Sequence, residues 1–292
     1  MQTRLTAKLR NSDFNAPMDL TYLETTLQNL RDKWPHEWPG LAVVLNSSLQ
    51  KLGFDANSKM PARNRALYDC MLSVIHAIEK DGALRAKKNQ EPRYHNRLHF
   101  ADTVVALTVM LVKLRKQSGR ALNAQPDHAE WLALLIMVSH DFLHNGHINQ
   151  FRSEIEGMTV KALVPHMKKH KVSAKDQALI SSIILKTDPA FVAESHQLIQ
   201  GIPFDIADPR CLLVLIQECD ILASSLPDTG KSLTQQLSEE WADIAPDRSL
   251  ALLPPAGRIF FLKRMALFSS PSSRALGIQK NINRQLAEIE LA

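Results

Sequence analysis

The sequence predicts an all-α protein. Apolar residues recur three or four positions apart, as in Leu67, Met71, Val74 and Ile78, which is the spacing of one face of a helix. Strand-like alternation is scarce, and the 292 residues include only 10 glycines and 15 prolines. Because these two residue types interrupt helices, their low content favours a compact multi-helix domain.

The helical pattern divides the chain into successive segments. A second apolar repeat of the same spacing covers 104–114. Further helices are predicted at 129–141, 159–170, 174–186, 209–226, 233–245, 256–268 and 273–291. Breaks are predicted at 34–40, 116–127, 227–230 and 254–255, where prolines, glycines or polar residues cluster. We interpret 1–60 as an N-terminal helical segment packed on or leading into the core, and 61–292 as the main domain.

The composition excludes few functions by itself. Hydrophobic residues make up 45% of the chain, and 35 basic residues nearly offset 30 acidic ones, which leaves a formal net charge of +5. The basic run at 168–171 is short and lacks interleaved aromatic residues, so we interpret it as a solvated helix end. Nucleic acid is therefore not an expected partner.

We expect no targeting signal or membrane span in this sequence. No stretch reaches the roughly 20 apolar residues that span a bilayer, and the N-terminus lacks the apolar segment of a secretory signal. Cys70, Cys211 and Cys219 show no CxxC spacing and are expected to be buried thiols in a reducing compartment. We expect a soluble cytoplasmic protein without membrane contact.

Histidines and acids crowd two short segments. The first, 94–102, reads YHNRLHFAD, and the second, 140–149, reads HDFLHNGHIN. On a helix, His95 and His99 would share one face. The adjacent His140 and Asp141 can both reach one metal only where a helix ends, and Gly146 could provide that end.

These residue types suit a metal site. Imidazole nitrogens and carboxylates bind zinc, iron or manganese, and two metals about 3.5–4 Å apart can clamp a phosphoryl group. A histidine outside the coordination shell can protonate the leaving oxygen. A lone histidine on an apolar helix is usually a packing residue, but two histidine-rich segments and a distant acid, Asp220, favour the metal interpretation.

The two motifs resemble those of class I cyclic-nucleotide phosphodiesterase catalytic domains, a branch of the HD-domain metallohydrolases. The family pattern YHNxxHxxD matches the first segment, and HDxxHxGxxN matches the second. Weaker similarity continues at 153–156, which contains Glu156, at 185–188, and at 218–222, which contains Asp220. The resemblance covers about residues 60 to 280 and is typical of a divergent, bacterial-type member.

The resemblance implies a dinuclear metal site and a set of roles. The ligands of a tight site for zinc or iron would be His99, His140, Asp141 and Asp220, with Asp141 bridging to a second site for magnesium or manganese. His95 would be the general acid, His144 and Glu156 would orient water, and Asn149 would support them. Tyr94 would pack near the substrate. For Asn149 and Glu156, helix packing is a serious alternative interpretation.

The implied reaction is hydrolysis of a 3′,5′-cyclic nucleotide, cAMP or cGMP, to the 5′-monophosphate by attack of a metal-bound hydroxide. The family holds the purine between a phenylalanine and a glutamine three residues before it. Here Arg258 takes the glutamine position if Phe261 is the clamp, and Gly257 takes it if Phe260 is. Arginine only donates hydrogen bonds, so it cannot replace an amide that also accepts.

A second departure lies after Glu156, where Gly157, Met158 and Thr159 replace the usual histidine-rich residues. Both departures leave open a different phosphoester or nucleotide substrate. A degenerate sensor that binds without turnover is the alternative outside enzymes, and the intact ligand set argues against it. The oligomeric state stays open, with a homodimer among the alternatives.

Overall fold

The computed structural model describes residues 18–291, so the predictions for residues 1–17 lie outside the described residues. Within 18–291 the chain forms helices and no strand, which confirms the all-α prediction. The helices are α1 (Leu20–Lys33), α2 (Leu41–Lys51), α3 (Ala62–Ala86), α4 (Arg97–Gln117), α5 (His128–Ser139), α6 (Glu154–Lys169), α7 (Ala174–Ile184), α8 (Val192–Leu198), α9 (Pro209–Leu222), α10 (Pro227–Trp241), α11 (Pro246–Leu252), α12 (Pro255–Phe260), α13 (Pro271–Leu276) and α14 (Ile278–Leu291).

Helices α4, α5 and α9 form the centre of the fold and pack against one another. They are apolar on nearly every side, as in the fully buried stretches 104–112 of α4 and 131–138 of α5. A helix that is hydrophobic all round can be stable only when other helices surround it. Helices α2 and α13 cover α4, and α3 covers α5.

Local hydrogen bonds set where the central helices begin. The Asn96 side chain accepts from the backbone N–H groups of Leu98 and His99, which caps the start of α4. Asp127 and Glu130 form a reciprocal capping box at the start of α5. Glu130 also pairs with the buried Arg115 near the end of α4, so one carboxylate fixes both helices.

Helices α1 and α2 add their apolar residues to the same core as the rest of the chain, including Leu23 and Leu27. Arg31 of α1 makes an ion pair with Asp102 of α4 through two hydrogen bonds, and the Asp102 side chain is fully buried. Removing one partner of such a buried pair leaves an uncompensated charge and costs about 3–5 kcal/mol. The division of the chain at residue 60 stays a prediction.

Several predicted boundaries were wrong. The break predicted at 227–230 is the start of α10, because Pro227 occupies the first helical turn, where its missing N–H costs nothing. The helix predicted at 256–268 is a short α12 followed by a π-helical turn, Phe261–Met265. The helix predicted at 273–291 is divided by Gly277, which has a left-handed φ of 73°.

Over residues 18–291, no helix combines the length and the apolar character that crossing a membrane would require.

Candidate metal centre

The start of α4 and the ends of α5 and α9 meet at the same end of the central layer. His99 lies in the first turn of α4, and Asp220 lies in the last turn of α9. Helix α5 ends at Ser139, two residues earlier than predicted, so His140 and Asp141 stand in a turn. Leu143 adopts a left-handed φ of 64° in that turn. The irregular backbone lets two adjacent side chains address one point.

The four predicted ligands form one cluster, in which one ligand atom from each lies within 4.8 Å of the others. The Nε2 atoms of His99 and His140 each lie 3.2 Å from Asp141 Oδ2 and 3.3 Å from Asp220 Oδ1. Both imidazoles are buried, whereas the carboxylates are partly exposed. The donor atoms therefore surround one point that remains reachable from solvent.

The donor set fits a divalent transition metal. Two imidazole nitrogens and two carboxylate oxygens are ligands that zinc, iron and manganese accept. His140 Nδ1 lies 2.8 Å from the carbonyl oxygen of Met137, an arrangement that requires a proton on Nδ1. The neutral imidazole then presents the lone pair of Nε2 to the cluster, which is the tautomer that a metal ligand needs.

The electrostatics of the cluster favour a bound cation. Burial alone would lower the pKa of His99, but hydrogen bonds with Asp141 and Asp220 outweigh it and raise the pKa to about 9. Burial acts against the charged form of both acids, yet the charge of His140 holds their pKa values well below the ordinary range. Two ionised carboxylates at one buried point attract either protons or a metal ion.

His95 lies beside this cluster but not on α4. The sequence predicted that His95 and His99 share a helical face, which is wrong because α4 begins only after its cap at Asn96. The two rings nevertheless lie 5.6 Å apart. His95 Nδ1 lies 2.5 Å from Glu240 Oε1, and Glu240 Oε2 accepts from the backbone N–H groups of Tyr94 and His95. The carboxylate thereby fixes the ring and leaves Nε2 free of that contact.

His144 stacks on His95, with ring centroids 3.7 Å apart and planes inclined by 21°. Its Nδ1 accepts from the backbone N–H of Gly146. Burial, with the neighbouring His95 charge, lowers the pKa of His144 to about 3, so its ring is neutral at neutral pH. These rings and Glu240 form a second possible metal group. However, lone pairs lie in the ring planes, so parallel stacked rings converge poorly on one ion.

Glu156 is held by Asn149, whose Nδ2 donates to both carboxylate oxygens at 3.2 and 3.0 Å. The side-chain oxygen of Asn149, Oδ1, accepts from the backbone N–H of Ile155, which fixes the orientation of the side-chain amide. Burial raises the pKa of Glu156, and the charges of Asp188 and Asp141 act in the same direction. Asn149, in the loop before α6, and Glu156, in the first turn of α6, therefore contact each other.

A cavity of about 620 Å³ opens beside Asp220 and His95. Its wall is mostly apolar or aromatic and includes the predicted residues Tyr94 and Phe261. The other residues that line it are Thr187, Pro189, Val192, Gln217, Ile221, Leu237, Trp241, Arg248, Ala251, Leu252, Ala256, Gly257, Phe260 and Met265. A mainly apolar cleft with a few polar groups is the usual form of a small-molecule site.

Arg258 lies behind this wall rather than in it. Its guanidinium donates to the carbonyl oxygens of Ser224 and Leu226 and to Gln285 Oε1, at 2.6–2.9 Å. Burial lowers its pKa to about 10. Gly257 does line the cavity, but a Cβ there would lie 2.3 Å from the carbonyl oxygen of Ala251. Substrate contact by Arg258 stays a prediction, and its donors here serve backbone carbonyls.

Sequence reasoning missed Glu240 and two polar residues of the cavity wall, Gln217 and Trp241. Glu240 lies 145 positions after His95 in an ordinary amphipathic helix, and no motif surrounds it. Gln217 precedes Asp220 by one helical turn on α9, which is the one local signal that places it near the site.

The helices bring a cluster of histidines and acids able to bind a metal to one end of an all-α fold. The sequence itself matches no protein-family model and no curated protein.

Two solved structures share the fold. The first is LmjPDEB1 of Leishmania in complex with IBMX, at a TM-score of 0.62 and 15% identity, covering 90% of each chain. The second is the phosphodiesterase domain of Salpingoeca rosetta rhodopsin phosphodiesterase, at a TM-score of 0.55 and 19% identity, covering 86% of this chain and 93% of that one. At these identities the likeness shows only that this chain shares the fold of class I phosphodiesterase catalytic domains.

Proposed function

We propose that this protein is a metal-dependent phosphodiesterase that hydrolyses a 3′,5′-cyclic nucleotide to the 5′-monophosphate. One observation carries the proposal: the four-residue cluster, the His95–Glu240 pair and an apolar cavity adjoin one another. The shared fold of the two phosphodiesterase structures supports the reaction class.

Each side chain receives a role that fits its contacts. His99, His140, Asp141 and Asp220 would hold zinc or iron, and Asp141 would also reach a second magnesium or manganese ion. Bound divalent ions would supply Lewis acidity for the attacking water and neutralise charge on the phosphate. His144, neutral and buried, and Glu156, held by Asn149, would orient water.

His95 is the proposed general acid. Attack of water at phosphorus forms a new P–O bond, breaks the bond between phosphorus and O3′, and releases one proton of the water to solvent, from which His95 is reprotonated after each turnover. The leaving O3′ then needs a proton, which His95 Nε2 can supply while Glu240 holds Nδ1. The partly exposed His95 lines the same cavity as Asp220, so one substrate can reach both.

The cavity wall suits a flat ring. Tyr94 and Phe261 contribute aromatic rings, and Ile221 and Leu237 add apolar surface. Such a wall would hold a nucleobase by stacking and burial while the phosphate lies at the metal cluster. The second candidate function is hydrolysis of a different phosphoester or nucleotide. It is favoured because position 258 carries no glutamine amide for a purine, and the arginine found there donates to backbone carbonyls.

A substrate panel tests the proposal. Purified protein would be assayed with added Mg²⁺ or Mn²⁺ on cyclic AMP, cyclic GMP and bis(p-nitrophenyl) phosphate, and its metal content measured by mass spectrometry. Turnover of a cyclic nucleotide to its 5′-monophosphate is expected. Turnover of the bis-ester alone would favour the second candidate function. A protein that contains no metal, and whose activity a chelator does not change, would overturn both.

A further inference from the structure

Asp188 carries a buried carboxylate that is held by backbone N–H groups. The residue is only 5% exposed. Its Oδ2 accepts from the backbone N–H of Ser153 at 2.7 Å, and its Oδ1 accepts from that of Ala190 at 2.8 Å. No lysine, arginine or histidine within residues 18–291 forms an ion pair with it. A buried carboxylate without a cation needs its hydrogen bonds, so these two contacts fix where Asp188 lies.

Ser153 is tied to the same segment at a second point. Its hydroxyl donates to the carbonyl oxygen of Leu185 at 2.6 Å and makes no cap to α6, although Ser153 is the residue just before that helix. Ser153 also has a left-handed φ of 57°, which costs a residue with a side chain about 1–2 kcal/mol. The contacts with Asp188 and Leu185 offset this cost and hold the conformation.

The conformation of Ser153 sets the first turn of α6, which contains Glu156. The Ser153 carbonyl oxygen accepts from the backbone N–H of Gly157, so the helix starts from this residue. Asn149 fixes the same turn through its hydrogen bonds with Glu156 and with the backbone N–H of Ile155. A change in the backbone at Ser153 would therefore move the Glu156 carboxylate.

Asp188 also lies between two residues of the cavity wall. Thr187 and Pro189 both line the cavity beside the metal cluster. The charge of Asp188 acts on Glu156 as well, because burial raises the pKa of Glu156 and the charges of Asp188 and Asp141 add to that effect. Asp188 thus connects the wall of the proposed substrate cavity with the carboxylate that is proposed to orient water.

We propose that Asp188 is a positioning residue of this site. It fixes Ser153 in the left-handed conformation, and through Ser153 it holds Glu156 where that carboxylate can orient the attacking water. Asp188 acts on the reaction only through Glu156. The inference deepens the proposed function and rests on it for the reaction that Glu156 serves. A purely structural Asp188 would stabilise the fold and have no specific effect on the chemical step.

Asp188→Asn removes the contact on which the proposal depends. The asparagine oxygen can still accept from the backbone N–H of Ala190, two residues later, as in an Asx turn. Its NH₂ group then faces the Ser153 N–H, so that hydrogen bond is lost. In protein loaded with Mg²⁺, kcat for cyclic AMP or cyclic GMP should fall about tenfold. KM and metal content should stay unchanged, because the turn in the cavity wall is kept.

A double-mutant cycle with Glu156→Gln gives a readout that a structural role would not move. Because Asp188 acts through Glu156, Asp188→Asn should lower kcat little further once Glu156 has been replaced. Asp176→Asn is the matched control, since it removes another buried carboxylate, at the start of α7, that contacts Arg63 and His128. It should lower stability and leave kcat unchanged, with or without Glu156→Gln.

The backbone amide signals of Ser153 and Glu156 report the contact without turnover. In ¹⁵N–¹H spectra of the purified protein, both signals should move in Asp188→Asn and stay in place in Asp176→Asn. Unmoved signals, full kcat in Asp188→Asn, or losses that multiply in the double mutant would each overturn the inference. Failure of the proposed function looks different: the two signals would still move, while metal-replete wild type would hydrolyse no cyclic nucleotide.

Discussion

Glu240 binds His95 at both the ring and the backbone. One carboxylate oxygen lies 2.5 Å from His95 Nδ1, and the other accepts the backbone N–H groups of Tyr94 and His95. Burial disfavours its charge, but the neighbouring His95 and these hydrogen bonds lower the pKa of Glu240 to about 2. Glu240 is therefore ionised at neutral pH and holds the proposed acid, His95, by its Nδ1 atom.

Removing the Glu240 charge should impair turnover without removing metal. Glu240→Gln keeps an oxygen for the backbone N–H groups but loses the charge that orients His95, so we expect kcat to fall about ten- to hundredfold. His95→Ala should cost about 10²–10⁴-fold. Steady-state kinetics together with metal analysis measure both effects.

The neighbouring Glu239→Gln serves as the control, because Glu239 is exposed and, within residues 18–291, its carboxylate accepts a hydrogen bond from Gln235 alone. It should leave kcat unchanged. If His95→Ala lost its metal while Glu240→Gln kept full activity, His95 would be a ligand and the assignment of the acid would be wrong.

The four candidate metal ligands were the part of the site most open to sequence reasoning. His99, His140 and Asp141 lie in short motifs, and Asp220 follows a strongly apolar run, so local pattern alone pointed to them. The helices were predictable for the same reason, since apolar periodicity is a local property. Their ends were less so, because a capping side chain or a proline in the first turn shifts them by several residues.

Glu240 and Arg258 mark where sequence reasoning stops. Glu240 reaches His95 across 145 positions, which only the packing of α10 decides. Arg258 occupies one of the two positions expected to face a base, yet its guanidinium reaches the carbonyl oxygens of Ser224 and Leu226. Long side chains choose partners through tertiary contacts, and these leave no pattern around the residue itself.

Chelation should lower thermal stability. A metal that binds only the folded cluster stabilises it by about 3 kcal/mol at a free concentration of about 100 times its Kd. We expect EDTA to lower Tm and added Zn²⁺ or Mn²⁺ to restore it, measured by differential scanning fluorimetry. Asp220→Asn should make Tm insensitive to EDTA, whereas the exposed Asp228→Asn should behave like wild type. An EDTA effect unchanged in Asp220→Asn would place the metal elsewhere.

Arg258→Gln should destabilise the fold and leave substrate preference unchanged. The substitution removes hydrogen bonds to two backbone carbonyls and to Gln285 in a partly buried setting, so we expect a loss of about 1–3 kcal/mol in the free energy of unfolding. Urea denaturation measures it, with the exposed Arg264→Gln as control. A gain in kcat/KM for one cyclic purine nucleotide would instead show that position 258 faces the base.

Asp176 should make stability depend on pH. It is buried between Arg63 of α3 and His128 at the start of α5, with contacts of 2.5 and 3.1 Å. Burial would raise the pKa of Asp176, but hydrogen bonds from Arg63, Ser173 and His128 outweigh it and lower the pKa from 3.8 to about 2. Because the folded pKa is the lower one, the ionised carboxylate stabilises the fold above about pH 4, and that stabilisation is lost as the pH falls through 2.

Asp176→Asn should therefore cost about 1–2 kcal/mol at pH 7, and the difference from wild type should shrink as the pH approaches 2. Urea denaturation at pH 7, 4 and 2.5 measures this change. Asp228→Asn is the matched control, because Asp228 is exposed and its only ion pair in the described chain is a 3.9 Å contact with Lys231. A deficit in Asp176→Asn that stays constant across the three pH values would mean that packing, not charge, holds α7 against α3 and α5.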